Sequence, residues 1–409
     1  MTKVDDERGP DAGHKSDIRP SFWSIVAEVV VLGLGLLITP VVLEYFGYKF
    51  DIPVSAKGPL APSINSIIAL GVAIVLALIC TYYAMKRRSP YIAVVIGAAA
   101  FGLFIEFFDI TMFNTYYYDP SYFMLFGKVP LTIVLCWGAI IYSAMRTSDY
   151  LDLKWYYKPI YDGMLALTID LALDPVAVNL PLWVWQVNPQ MHMPANFLGI
   201  PLANFYGWYA VVFCYSLLVR AGFRFYPERW RGGWTAAIVS VVAAPCAFVL
   251  FMIFLLTYYA MLTFAHWPES LILSILFGLN FFLVVIYLPA ADHDDKPDLV
   301  SFVTPVMLHA FVMFSYYFGG LYKESNAAGE PSQTEGLIIF LPAIGVVSLI
   351  GFAWPFLDKL KQYFGHVKKI TEGLDGRLHY IEPRSASTDP VEPIERVKLE
   401  LAQHDQSGK

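Results

Sequence analysis

Five carboxylates stand inside long apolar runs of this chain. Glu106 and Asp109 lie in the run from Pro90 to Ile110, and Asp162, Asp170 and Asp174 lie in the run from Pro159 to Gln186. A carboxylate near the centre of a bilayer costs roughly 3 kcal/mol on insertion scales, so its default reading there is functional. Asp170 and Asp174 are four residues apart and share one face of a helix. With a rise of about 1.5 Å per residue, Asp170 falls roughly 16 Å and Asp174 roughly 22 Å beyond Pro159. Counted the same way from the start of its own run, Glu106 also lies roughly 22 Å deep, on a segment that runs outward as well. If the two segments are neighbours, two carboxyls face one pocket. Paired acids of this kind can give a proton to a substrate with one group and take one from water with the other.

The sequence around the acids adds to this. Asp174 is followed by Pro175. A proline there removes a helix hydrogen bond and frees the carbonyl of Leu171. Freed backbone at membrane depth is tolerated where it is buried in protein or lines a cavity. Asp-Pro therefore predicts a broken, cavity-lining helix, the alternative being a kink whose acid is satisfied by a neighbouring hydroxyl. Asp109, near one turn past Glu106, either joins the pocket or already sits in the interface. Asp162 and Glu28 lie near the inner ends of their runs and read as solvated or helix-start residues. Aromatic residues make up 16% of the chain and crowd into Phe113 to Phe123, Trp183 with Trp185, and Phe205 to Tyr209. Interfacial belts of Trp and Tyr explain many of them. Rings beside an acid pair can also line a slot for an extended apolar substrate and stabilise a carbocation.

The elements that must position these residues are membrane helices. Hydrophobic residues make up 57% of the chain and charged residues 15%, with a mean hydropathy of +0.53. About 20 apolar residues span a hydrocarbon core. Ten candidate spans follow: about 23–45, 63–85, 90–108, 129–146, 159–186, 204–222, 234–264, 268–290, 299–320 and 336–357. The expected fold is thus an all-α, polytopic helix bundle. A cytoplasmic N-terminus places Lys86, Arg87, Arg88, Arg146, Lys154, Lys158, Arg220, Arg224, Arg229, Arg231 and Lys296 in inner loops and only Lys49, Lys57, Lys128 and Lys323 in outer ones. That bias sets the orientation and, with an even number of spans, puts both tails in the cytoplasm. The chain divides on this reading into a polar tail (1–22), a transmembrane domain (23–358) and a polar tail (359–409) in the cell membrane. The first run is too long for the apolar core of a signal peptide, and Met1 to Ser21 is mixed in charge.

Other chemistries find little support. Cys80, Cys136, Cys214 and Cys246 each lie in an apolar run without a CxxC pair and read as small buried side chains. His192 and His309 have no HxxxH partner, and no metal or other cofactor is implied. There is no P-loop, GxSxG elbow or dinucleotide fingerprint, and no basic footprint for nucleic acid. The DDxxD-type motif of membrane prenyltransferases is absent; Asp149 and Asp152 come nearest, in a basic loop. No internal repeat of the kind found in inverted-repeat transporters stands out.

From Gly97 to about Leu218 the chain resembles the membrane carotenoid-biosynthesis family that includes the carotenoid 1,2-hydratases of the bisanhydrobacterioruberin hydratase type. Glu106 to Tyr118, EFFDITMFNTYYY, is similar to the family's acid followed by an FGxYxY element. Val129-Pro130-Leu131 with Trp137 is a second stretch. The third is Asp170 to Trp185, DLALDPVAVNLPLWVW, followed by Gly199-Ile200-Pro201-Leu202 and Asn204-Phe205-Tyr206-Gly207-Trp208. It matches D-x-x-x-D-P, W-x-W, G-[IV]-P and N-F-x-G-W in order. Asn114 departs from the pattern where the family has glycine, and Asn179-Leu180-Pro181-Leu182 replaces a glycine-rich approach to the tryptophans.

The resemblance implies addition of water across the terminal double bond of an acyclic carotenoid of the C40 or C50 class, giving a tertiary alcohol. Asp174 and Glu106 are then the expected acid and base, in either order, with Asp170 orienting the pair. Asn204 positions water, Trp183, Trp185, Tyr118 and Trp208 line the slot, and Asp109 joins the substrate site. The implied partners are the carotenoid, water, the bilayer and other carotenoid-biosynthesis enzymes. A cyclase or isomerase of the same fold, which loses the proton instead of adding water, and a proton-coupled transporter remain alternatives.

Overall fold

The computed structural model describes residues 64–87, 89–119, 122–180, 182–185, 196–197, 200–225, 233–275, 299–318 and 340–358, with residues 278 and 361 besides. The expected first span and both tails lie outside these residues. The chain divides into two compact units, 1–358 and 359–409, and the described residues belong almost wholly to the first.

Among the described residues eight long helices carry the structure: α1 (Ile64–Arg87), α2 (Ser89–Phe108), α3 (Leu131–Asp149), α4 (Lys158–Asn179), α5 (Leu202–Phe225), α6 (Gly233–Thr263), α7 (Val300–Phe318) and α8 (Phe340–Asp358). Seven of them are long and apolar enough to cross a membrane. The eighth, α4, falls short only because it carries Asp162, Asp170 and Asp174. Proline within the first two residues of α4 suits a position whose N–H has no helical partner. The α3 helix is the centre of the bundle, packed against α1, α2, α4 and α7, and 78% of its apolar window is buried, against 28% for α1 and α6. The outer helices keep apolar side chains on their exposed surface, a pattern that suits a helix facing lipid.

Two sequence expectations need correction. The run 159–186 is not one span: α4 ends at Asn179 and Trp183–Trp185 is a strand. Nor does Pro175 break the helix. It sits inside α4, one turn before the end, and Asn179 Nδ2 donates to the Pro175 carbonyl at 2.6 Å.

Short strands complement the helices. Strand β1 (Tyr116–Tyr118) pairs antiparallel with β4 (Trp183–Trp185), so that Tyr116 faces Trp185 and Tyr118 faces Trp183. Strand β2 (Met124–Leu125) pairs with β3 (Val129–Pro130), and β5 (Asn196–Phe197) with β6 (Ile200–Pro201), which leads into α5. The β1–β4 ribbon lies where α2 and α4 end and where α3 and α5 begin. It satisfies backbone groups that an irregular loop would leave open next to a buried site.

Candidate functional site

Helix α2 does not stop cleanly after Glu106. It widens into a π-helical turn, Asp109–Phe113, that closes on Asn114. Asn114 has φ 51° and its N–H donates to the Asp109 carbonyl at 3.1 Å. Only glycine, and next to it asparagine, takes this left-handed conformation readily. Asn114 thus performs the conformational task of the glycine expected there, and the departure in sequence leaves the turn intact. The turn reverses the chain so that Tyr116 and Tyr118 point back at Glu106.

Glu106 is 7% exposed and receives three donors. Tyr116 Oη and Tyr118 Oη both donate to Oε2, the latter at 2.6 Å, and Trp137 Nε1 donates to Oε1 at 2.8 Å. Trp137 reaches Glu106 because of Gly102, one turn earlier on α2. A Cβ at Gly102 would lie 2.4 Å from Trp137 Cβ and Cγ, far inside contact distance, so the indole lies where a side chain would otherwise be. Trp137 also packs on Trp208 of α5, ring centroids 4.4 Å apart.

The second group of acids comes from α4. Asp170 and Asp174 are fully or almost fully buried. Asn204, near the start of α5, bridges them: its Nδ2 donates to Asp174 Oδ2 at 2.6 Å and Asp170 Oδ2 at 3.2 Å. The Oδ1 atom of each aspartate has no hydrogen-bond partner among the described residues, and neither has Trp185 Nε1. No Lys, Arg or His forms an ion pair with any of these acids among the described residues.

Glu106 and Asp174 line one cavity, which holds about 760 Å³ of empty space with its open mouth included. Tyr118, Trp183, Trp185, Asn204 and Trp208 line it too. Asp170 stands behind Asp174 without reaching the wall. Asp109 is also outside the lining, and its Oδ2 accepts from Thr115 Oγ1 at 2.6 Å, inside the turn it helps to form. Tyr116 and Trp137 line the cavity and bind Glu106 directly, and the sequence reading had not placed either at the site. The signal for Tyr116 was the Y-x-Y spacing, since alternate residues of a strand share a face. Trp137, inside an apolar run, was marked only by its place in the family-like stretch with Val129-Pro130-Leu131. Among the described residues no three of His, Cys, Asp and Glu cluster as for a metal.

Asp162 corrects its sequence reading. It is fully buried, because serines and an arginine from other helices close over it. Ser148 and Ser216 donate to its two oxygens, and Arg220 NH2 lies 3.1 Å from Oδ2. Arg220 also contacts Asp149 and donates to Met145 O at 3.0 Å. Arg146, expected in a loop, lies in the last turn of α3, 1% exposed. It pairs with Asp149 at 2.8 Å and lies over the rings of Tyr91 and Tyr150. This cluster sits at the far end of the bundle from the β1–β4 ribbon.

Residues 64–281, more than half of the chain, match the family model of carotenoid biosynthesis proteins. No curated protein and no solved structure matches the chain.

Proposed function

The chain belongs to the carotenoid biosynthesis protein family, and from that premise we propose that it is a membrane hydratase. It adds water to the terminal 1,2 double bond of an acyclic carotenoid. The observation that carries this reading is the pairing, across one aromatic cavity, of a carboxylate held by three neutral donors with a second carboxyl that shares an amide bridge with a third.

The two acids differ in what surrounds them, and the difference supports a division of roles. The Trp137 indole can only donate, so Glu106 Oε1 accepts, and the tyrosine hydroxyls complete a cradle for an anion. Asp170 and Asp174 share a single amide donor and no cation, which leaves a place for one proton between them, as in other carboxyl pairs. Asp174, the member on the cavity wall, passes that proton to the less substituted carbon of the terminal alkene. The cation forms on the neighbouring carbon, which bears two methyl groups. Glu106 and the faces of Trp137, Trp208 and the ribbon aromatics stabilise it. Water attacks the cation, Glu106 takes the released proton, and the product is a tertiary alcohol. Asp174 regains a proton from solvent as Glu106 loses one, so no proton is consumed. Asn204 orients both aspartates. An alkene is a poor base, so orientation inside the cavity must supply much of the rate.

On this reading the bundle lies in the cell membrane with its N-terminus cytoplasmic. The test is pigment analysis by mass spectrometry in a bacterium that makes lycopene and expresses this chain. A gain of about 18 Da per reacted end, the mass of one water, is expected. An isomer of unchanged mass would point to proton loss from the same cation instead. Unchanged pigment with the protein confirmed in the membrane would overturn the proposal.

A further inference from the structure

The cavity is not uniform. Its acids and amide come from α2, α4 and α5, and its hydroxyls from the ribbon, from Tyr122 and from Thr132 of α3. Its α1 and α7 walls, by contrast, are Ala69, Val72, Leu308 and Phe311, with no polar group among them. Helices α1 and α7 pack on each other and both pack on α3, whose Ile140 continues the same apolar wall. Ala69 and Phe311 also belong to one buried cluster with Tyr118, so this lobe adjoins the Glu106 cradle directly. A reactive end held at the acids leaves a hydrocarbon chain to be housed, and this lobe is where the cavity offers only hydrocarbon contact.

We infer that the α1–α7 lobe seats the isoprenoid chain behind its reactive end, and that Ala69 and Phe311 determine which chains fit. The inference rests on the proposed substrate class but not on the water-addition step. Ala69 is the smallest side chain on this wall. A larger residue there takes up space in the lobe from α1, an element that carries none of the acids. A smaller one at position 311 widens it. Apolar pockets discriminate by volume, each methylene being worth roughly tenfold or more.

The test uses the full chain in membranes with two substrates. One is lycopene; the other is geraniol, a short alcohol with the same dimethyl-substituted terminal alkene. Ala69→Phe is expected to lower lycopene conversion by about tenfold or more while geraniol hydration changes by less than about threefold. Phe311→Ala serves as the second variant: by widening the lobe it is expected to raise conversion of substrates with bulkier chains relative to lycopene. The amount of lycopene co-purifying with the detergent-solubilised protein is measured alongside, and Ala69→Phe is expected to lower it. Equal loss on both substrates, or no loss on either, would overturn the inference. If the wild type converts neither substrate, co-purified pigment decides: retention lowered by Ala69→Phe supports the seat although hydration has failed, and unchanged retention overturns it.

Discussion

The bundle buries acids at both ends, and the two groups are treated in opposite ways. At one end Asp149 and Asp162 are matched by Arg220, Arg146 and Lys158, with Ser148 and Ser216 closing the remaining positions. At the other, Glu106, Asp170 and Asp174 meet only hydroxyls, an indole and an amide, and two aspartate oxygens are left open. A buried carboxylate compensated by cations is a fixed charge that ties helices together. One compensated by neutral donors can change its proton occupancy without stranding a counter-charge. Burial alone therefore does not mark a reactive acid; the character of its partners does. Glu106 and Asp174 of the second group line the aromatic cavity.

The sharpest way to break the comparison is to neutralise each group. Glu106→Gln and Asp174→Asn are each expected to lower conversion by about a hundredfold to ten-thousandfold, the usual worth of a positioned acid or base. Protein level in the membrane should be unchanged. Product mass and quantitative blotting check both halves. Full conversion by either variant would remove that residue from the chemistry.

Arg220→Met is expected to act the other way round, on stability before activity. Removing one partner of a buried ion pair costs about 3–5 kcal/mol. Thermal unfolding in detergent should fall well below wild type. Adding Asp162→Leu should recover most of that loss, because the stranded acid goes with its partner. A double variant no more stable than the single would show that Asp162 is held for another reason.

These two groups were not equally legible in the sequence. The depth of Glu106 and Asp174 followed from helical rise and the insertion penalty, and the structure puts both on one cavity. Asp162 was misread because its distance from the end of its run was taken for exposure. Its partners Ser148, Ser216 and Arg220 come from α3 and α5, and their approach is a tertiary fact with no local signal. The helical class was plain from hydropathy. The β1–β4 ribbon was not, since three residues are too few for a period to show against apolar runs. Yet Y-x-Y and W-x-W were its trace, aromatics alternating so that each strand turns one face inward.

Within the acid site, the neutral donors should be worth less than the acids they hold. Trp137→Phe keeps a ring against Trp208 and removes only the N–H that reaches Glu106. A hydrogen bond to a charged group contributes about 1.5–3 kcal/mol, so turnover should fall by about tenfold to a hundredfold with stability little changed. Gly102→Ala should do part of the same damage from behind. Its methyl would collide with Trp137 and displace the indole from Glu106, at an overpacking cost of about 1–3 kcal/mol. An active, unshifted Gly102→Ala protein would mean that the indole position is not what the site needs.

The smallest effect is expected one residue away from a large one. Tyr118 and Tyr117 are neighbours on β1, but the strand turns them to opposite sides. Tyr118 is 7% exposed and donates to Glu106, whereas Tyr117 is 45% exposed and pairs across the ribbon with the partly exposed Val184. Tyr118→Phe removes a hydroxyl from the carboxylate cradle and should lower turnover by about tenfold. Tyr117→Thr retains a residue that suits a strand and, as an exposed substitution away from the cavity, should change stability by no more than about 0.5 kcal/mol and turnover by less than about twofold. Matched turnover measurements on the two variants test the ribbon itself. Equal losses would mean that the strand acts only as a whole, through its packing. The expected contrast would mean that the alternation of one short strand separates the face that holds the reactive acid from the face that does not.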